Sequence, residues 1–290
     1  MGIVIFPLRH IKTLATLFIF YKVETMEDIL HVLNGDHTLN VFEQTDLDGD
    51  ILVWREVLSE GPVEENIVSG SFWRNRSAWI SQSFAGTADT YEDKVLNQLS
   101  KLNDSYREIN LWFEYDLHCQ INMLGVIMML SKHTDLSGPS IYLICPGSHP
   151  DIENFKGMGE LNADQLENLY DDIRLQLGEP DFYIAAEAWR YYTANDIPEL
   201  EKWLHENNYW ANLRFLKAAL EAHVKRSTVN QNGLNYIEQK LLDIYNSGII
   251  GKSHIHNAFW ESETVFGMGD MEIDIYLNRL QDKQLISLAG

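Results

Sequence analysis

Four short apolar runs in the first half of the chain constrain its fold more than any other feature. They lie at 29–33, 51–54, 109–113 and 141–145, and each is followed by polar residues, glycine or proline. Such runs, rich in β-branched and aromatic residues and without strict alternation, are typical of strands buried on both faces of a parallel sheet. The four runs therefore predict an open, mainly parallel sheet.

Segments of helical length separate these runs, with helices predicted near 37–45, 71–84, 89–103 and 117–132. The last is the clearest, because Leu117, Ile121, Leu124 and Met128 fall on one helical face. Strands and helices in alternation predict an α/β domain of the Rossmann-like kind, with right-handed crossovers, over residues 26–150.

Strand signals fade after residue 150, so residues 151–226 are predicted to be a helical region. Its helices are expected near 162–176, 181–194, 198–207 and 210–224. Residues 227–290 carry three short helical patterns, the first including Ile237 and Leu241, followed by a predicted strand at 285–288. The fold class is therefore α/β, with an all-α C-terminal region that ends in a winged-helix-like unit.

Residues 1–25 differ in character from the rest of the chain. Arg9 and Lys12 precede an apolar stretch, 14–20, that is too short to span a bilayer. We interpret these residues as an unstructured extension upstream of the true start at Met26, with a targeting segment as the alternative. No other apolar run is of membrane length, and Cys119 and Cys145 are the only cysteines, so we expect a soluble cytoplasmic protein.

The charge balance narrows the set of partners. Lys and Arg number 22 against 43 Asp and Glu, for a net charge of −21, which disfavours nucleic acid and anionic membrane surfaces as partners. Residues 227–290 follow the same trend, with acidic residues outnumbering basic ones. We therefore interpret the winged-helix-like unit as a packing or protein-interaction module and not as a DNA-binding one.

Specific stretches of the sequence carry a family resemblance. They are HVLNGD (31–36), VWREVLSEGP (53–62), WFEYDLHCQINML (112–124), FKGMGELNADQL (155–166), LRFLKAALEAH (213–223), NGLNYIEQKLL (232–242) and FGMGD (266–270). In this order they resemble the bacterial family known as domain of unknown function 1835, with its associated helical C-terminal region. The family often has Trp-Arg-Asp where this chain has Trp54-Arg55-Glu56. The resemblance implies the same architecture and little about activity, because the family has no assigned one.

Polar side chains follow each predicted strand, at the sheet edge where α/β proteins bind their ligands. The residues predicted to be catalytic are Asp36, His37, Glu56, Glu114, Asp116 and His118. Those predicted to bind substrate are Asn34, Arg55, Glu60 and Gln120. We expect these side chains to meet around one crevice.

Several carboxylates around one crevice would repel one another and recruit a cation. Asp36, Glu114 and Asp116 are predicted to hold Mg²⁺ or Mn²⁺, while His37 and His118 transfer protons. Asp36 and Asp116 also precede predicted helices, so capping of backbone N–H groups is an equal alternative for both. No Walker loop, GxGxxG, GxSxG or HExxH motif is present in the sequence.

The function predicted from these features is binding of a small phosphorylated or nucleotide-like molecule, or its metal-assisted hydrolysis or transfer, at the carboxyl edge of the sheet. The alternative is a non-enzymatic regulatory or scaffolding protein that contacts a protein partner through its C-terminal unit.

Overall fold

A five-stranded sheet is the framework of the fold. The computed structural model describes residues 29–84, 88–103, 106–133 and 138–288, so the predicted extension at 1–25 lies outside the described residues. The strands are β1 (Ile29–Asn34), β2 (Asp50–Trp54), β3 (Glu108–Trp112), β4 (Ser140–Ile144) and β5 (Leu175–Gln176). Their order is β2-β1-β3-β4-β5, with the first four parallel and β5 antiparallel to β4. The predicted α/β class with a mainly parallel sheet is confirmed.

Helices connect the parallel strands. They are α1 (Asp36–Phe42), α2 (Gly70–Ser83), α3 (Ala88–Tyr91), α4 (Asn97–Leu99) and α5 (Leu117–His133). The single helix predicted at 89–103 is instead a series of short turns, since a π-helical turn at Glu92–Leu96 and a 3-10 turn at Ser100–Asn103 flank α4. Helix α5 is buried over most of its length, as its apolar stripe predicted.

The second half of the described chain is mainly helical. Its helices are α6 (Ala163–Asp172), α7 (Glu179–Ala194), α8 (Ile197–Glu206), α9 (Leu216–Ser227), α10 (Tyr236–Asn246), α11 (Lys252–Ser262) and α12 (Asp270–Asp282). The helix predicted at 162–176 ends earlier, because the chain turns after α6 to pair β5 with β4. The strand predicted at 285–288 is wrong: these residues pair with no described strand, and the Ser287 amide donates to the Tyr245 hydroxyl.

Two hydrophobic clusters cover the two faces of the sheet. The smaller contains Leu33, Trp112 and Ile144 and packs against α1 and α6. The larger cluster is a single group of buried side chains. Its members range from Leu30 in β1 to Ile286 and come from the sheet, α5, α7 and the last helices. The domain boundaries at 150 and 226 remain predictions. Among the described residues, none of the helices combines the length and apolar character needed to cross a bilayer.

The C-terminal helices lie against the carboxyl edge of the sheet. Glu272 and Tyr276 of α12 and Arg226 of α9 reach the loop that follows β2, where they contact Ser59 and Glu60. Residues at the ends of the parallel strands are therefore covered by a part of the chain far away in sequence.

Candidate functional site

Glu114, which follows β3, is at the centre of a buried polar cluster at the carboxyl edge. Its side chain accepts hydrogen bonds from the Met158 amide (3.0 Å) and the Cys119 thiol (3.1 Å). Burial and the neighbouring Asp116 carboxylate raise the pKa of Glu114 to about 7, although both hydrogen bonds act in the opposite direction. Glu114 can therefore gain and lose a proton near neutral pH.

Asp116 caps the amino end of α5. Its Oδ1 accepts a hydrogen bond from the Cys119 amide at 2.9 Å, which satisfies one of the free N–H groups of the first helical turn. Burial raises the pKa of Asp116, and nearby His118 opposes that shift. Gly267, with φ of +61°, closes over this carboxylate: a Cβ atom there would lie 1.8 Å from Oδ1. Of the two alternatives for Asp116, the capping role is confirmed.

His118 joins the sheet to the C-terminal unit. Its side chain is 17% exposed, and Nδ1 lies 3.4 Å from Glu272 Oε1 and 3.3 Å from Ser59 Oγ. Burial opposes a charge on His118, but the nearby carboxylates, Glu272 first, outweigh it and raise its pKa to about 9. Glu272 is also buried, yet His118 lowers its pKa. The two side chains therefore form an ion pair between α5 and α12.

Two asparagines and a cysteine complete the cluster. Asn34 donates to Cys119 Sγ at 3.0 Å, and its Oδ1 accepts from Asn122 Nδ2 at 3.0 Å. Asn122 is fully buried, and its Oδ1 accepts from the Leu58 amide. Burial raises the pKa of the Cys119 thiol well above its usual range, so the sulfur stays protonated and donates a hydrogen bond to Glu114.

Three residues predicted to be functional are instead buried in structural contacts. Glu56 pairs with Arg76, whose Nη2 is 2.6 Å from Oε2, and also accepts from the Tyr91 hydroxyl. Glu60 pairs with Arg226 at 2.6 Å. Gln120 is 1% exposed and donates to a backbone carbonyl at 2.7 Å. Their side chains already make hydrogen bonds to other residues of the chain, which argues against the predicted catalytic and substrate-binding roles.

Asp36, His37 and Arg55 lie apart from the cluster. Asp36 is 59% exposed and forms a bidentate ion pair with Arg55. The hydrogen bond from Arg55 lowers the pKa of Asp36. His37 is exposed on α1, with its Cβ close to Gly159. These contacts place the predicted residues on the surface beside the cluster and not within it.

The predicted metal site at Asp36, Glu114 and Asp116 is corrected by the structure. In the part of the chain that it describes, no three His, Cys, Asp or Glu side chains are arranged to hold a metal ion. The reason is that each carboxylate already has a partner: a guanidinium for Asp36, and thiol or amide hydrogens for the other two.

Several residues of the cluster escaped the sequence prediction. Ser59 lies within the loop that follows β2, Met158 in a 3-10 turn, Gly267 before α12 and Glu272 in α12, and none of them directly follows a strand end. Asn122 had a usable signal, because a polar residue four positions after His118 lies on the same face of the otherwise apolar α5. Asn34, Tyr115 and His118 are half-buried and border the cluster where solvent reaches it.

Comparisons with known proteins add no candidate function. No protein-family model matches this chain, and a search of curated proteins finds no match. A proposal about function therefore depends on the geometry of the carboxyl-edge cluster and on its protonation.

Proposed function

We propose that this protein binds a small phosphorylated or nucleotide-like molecule at the carboxyl edge of its sheet and exchanges a proton with it through Glu114. The observation that carries the proposal is the pKa of Glu114, raised to about 7 by burial and by Asp116. A carboxyl group that titrates near neutral pH suits a general acid or base, and strongly perturbed groups of this kind concentrate at functional sites.

The surroundings of Glu114 favour an anionic group on the ligand. His118 is cationic at neutral pH, because its pKa is raised to about 9, and it remains partly exposed. It lies in the first turn of α5, where the helix dipole also favours negative charge. The half-buried Asn34 amide would orient the ligand, and Glu114 would then donate or accept the proton in a hydrolase or transferase reaction.

A thermal-shift series tests this proposal. The probes are inorganic phosphate, sugar phosphates and nucleotides, and a probe at about 100 times its Kd adds about 2.7 kcal/mol to stability. We expect one of the phosphorylated compounds to raise the melting temperature of the wild-type protein. Glu114→Gln should weaken its binding at least tenfold, and Asp36→Asn, which alters an exposed carboxylate outside the cluster, should leave it unchanged.

His118→Asn provides a second variant in case Glu114→Gln destabilises the fold. It removes the positive charge and keeps a polar side chain, so binding of a phosphorylated probe should again weaken. The proposal fails if no probe stabilises the wild-type protein, or if both cluster variants bind the probe as tightly as the wild type.

The second candidate function is that of a non-enzymatic regulatory or scaffolding protein that uses its C-terminal unit to contact another protein. Exposed apolar side chains favour it, since Ile250 is 62% exposed and Met271 is 56% exposed. Glu272 and Tyr276, in contrast, are used for contacts within the chain. Absence of any shift across the phosphorylated probes would favour this second function.

We also propose the finer assignments that the sequence predicted. The chain would belong to the domain of unknown function 1835 family, with a Rossmann-like N-terminal domain and a winged-helix-like unit at 227–290, and would work in the cytoplasm. Parallel strands joined by helices support the first domain assignment. The three helices α10, α11 and α12 support the second.

A further inference from the structure

Arg214 is an exposed cation at the carboxyl edge of the sheet. Its Nη2 donates to the Cys145 carbonyl at 3.0 Å, directly after β4, and its guanidinium lies 4.8 Å from the centre of the Phe215 ring. These two contacts hold the charged group at the end of a strand, although the residue itself precedes α9.

The guanidinium of Arg214 has donors to spare. It carries five N–H groups, and within the described ranges its one hydrogen bond is that to Cys145. Five other arginines pair with carboxylates, namely Arg55, Arg76, Arg174, Arg190 and Arg226. In a chain with 43 Asp and Glu residues against 22 Lys and Arg, Arg214 forms no ion pair with the described residues. It can therefore pair with an anion supplied by a ligand.

The end of β4 lies between Arg214 and strand β3. The Ile144 carbonyl accepts from the Phe113 amide, at the end of β3, at 3.2 Å. The next carbonyl along the chain, that of Cys145, accepts from Arg214. The guanidinium is therefore one strand end away from the residues that follow β3.

Glu114 is one of those residues, and it lies close to Cys145. The Gln120 side chain joins the two, since its Nε2 is 2.7 Å from the Glu114 carbonyl and 3.5 Å from Cys145 Sγ. Burial and the charge of Glu114 raise the pKa of the Cys145 thiol, and Arg214 acts in the opposite direction. The two charged groups are thus both close enough to Cys145 to affect its protonation.

Two half-buried rings complete this part of the edge. Tyr115, which follows Glu114, has its ring centre 6.1 Å from that of Phe215. Gly147, in the loop after β4, lies against Phe215, because a Cβ atom there would overlap the ring. Phe215 is therefore packed between the loops that follow β3 and β4, and it supports Arg214 at the edge.

We propose that Arg214 binds the phosphate of the carboxyl-edge ligand, and that this ligand is a phosphate monoester of a small organic molecule. This inference rests on the function proposed above, because it assigns a second contact to the ligand that meets Glu114. A planar guanidinium can donate two parallel hydrogen bonds to phosphate oxygens. Arg214 is also more available than His118, which is paired with Glu272.

The position of Arg214 sets a requirement on the ligand. Because the end of β4 lies between Arg214 and β3, the phosphate and the group that exchanges a proton with Glu114 belong to different ends of the molecule. Separation also keeps the phosphate away from the Glu114 carboxylate. Inorganic phosphate makes only the first of the two contacts, so it should bind more weakly than an organic phosphate.

Calorimetric titration of the full chain tests the role of Arg214. The probes are glycerol phosphate, ribose phosphate, AMP and inorganic phosphate. We expect Arg214→Gln to weaken binding of the best organic phosphate at least tenfold, the loss typical of a hydrogen bond between charged groups. Arg214→Lys keeps the charge but not the two parallel hydrogen bonds, so its affinity should lie between those of Arg214→Gln and the wild type.

Arg279→Gln is the matched control. Arg279 is also exposed, and its guanidinium lies 4.9 Å from the centre of an aromatic ring, that of Tyr276. This variant makes the same change in net charge and should bind the probe as the wild type does. Salt gives a second measurement, because NaCl screens exposed charges: affinity should fall less steeply with NaCl in Arg214→Gln than in the wild type. A general disturbance of the fold would not change that dependence.

The outcomes separate this inference from the function on which it rests. If no phosphorylated probe binds the wild-type protein, both fail. If a probe binds and Glu114→Gln weakens it, but Arg214→Gln binds it as the wild type does, the role of Arg214 alone is overturned. The same holds if Arg279→Gln weakens binding equally, if the salt dependence of Arg214→Gln is unchanged, or if inorganic phosphate binds as tightly as the organic phosphates.

Discussion

Two arginine–carboxylate pairs of equal length allow the effect of burial on ion-pair stability to be measured within one protein. Arg76–Glu56 and Arg55–Asp36 both have an N···O distance of 2.6 Å. The side chains of the first pair are fully buried, whereas Asp36 in the second is 59% exposed. Distance and chemical groups therefore match, and the surroundings differ.

Glu56→Gln preserves the size of the side chain and removes its charge. Arg76 is then left as a buried cation whose remaining contacts include the Trp79 ring and backbone carbonyls, among them that of Glu60 at 2.5 Å. Removal of one partner of a buried pair typically lowers the free energy of unfolding by about 3 kcal/mol or more. Asp36→Asn should lower it by less than about 1 kcal/mol, because solvent already screens the exposed pair.

Urea denaturation, followed by tryptophan fluorescence and circular dichroism, measures both effects, provided that the dependence on urea has the same slope in each variant. The double variant Glu56→Gln/Arg76→Met removes both charges and should be more stable than Glu56→Gln alone. Equal losses for Glu56→Gln and Asp36→Asn would refute the argument from burial. A fully stable Glu56→Gln protein would also reopen a functional role for Glu56.

Three further predictions concern the carboxyl-edge cluster. The pKa of Glu114 in the folded state, about 7, lies above its ordinary value of 4.5, so this group makes the protein less stable as pH rises between those values. Glu114→Gln should flatten that part of a melting-temperature profile. His118, with a pKa raised from 6.5 to about 9, stabilises the folded state below pH 6.5 and loses this contribution as pH rises to about 9. His118→Asn should abolish that decline. Gly267→Ala places a Cβ atom against Asp116, so it should destabilise the fold more in urea than Gly233→Ala, where φ is also positive but no atom lies within 4 Å.

The sheet could be predicted from the sequence because its strands are short apolar runs with polar ends. All four predicted strands form, in parallel, and α5 follows its apolar stripe. The two-residue strand β5 could not be predicted, since its pairing depends on the exposed edge of β4 and not on an apolar run of its own. The strand predicted at 285–288 had the right composition, but no described strand edge lies beside it.

The candidate site was predicted less completely, because strand ends reveal which residues reach an edge but not which partners they meet there. Glu114, His118 and Asn34 do come together. Glu56 and Glu60 also follow a predicted strand, but Arg76 from α2 pairs with Glu56 and Arg226 from α9 pairs with Glu60. Their partners are distant in sequence, and periodicity carries no information about such pairs.

His31, Asn110 and Tyr142 are visible in the sequence as one polar residue within each of three apolar runs, and the run at 51–54 has none. Continuous apolarity is the stronger signal in these runs, and it masks the alternation on one face. A sheet face that needed only to be stable would be filled by aliphatic side chains at these positions, as it is two residues further on at Leu33 and Ile144.

The two edges of the sheet therefore differ in what they leave available to a ligand. At the carboxyl edge, α12 and the loop of Met158 cover the strand ends, and most polar groups there bind one another across the chain. At the amino edge, residues that include Asp48 and Glu108 line a cavity of about 520 Å³. A ligand at the carboxyl edge must compete with the His118–Glu272 ion pair for its contacts.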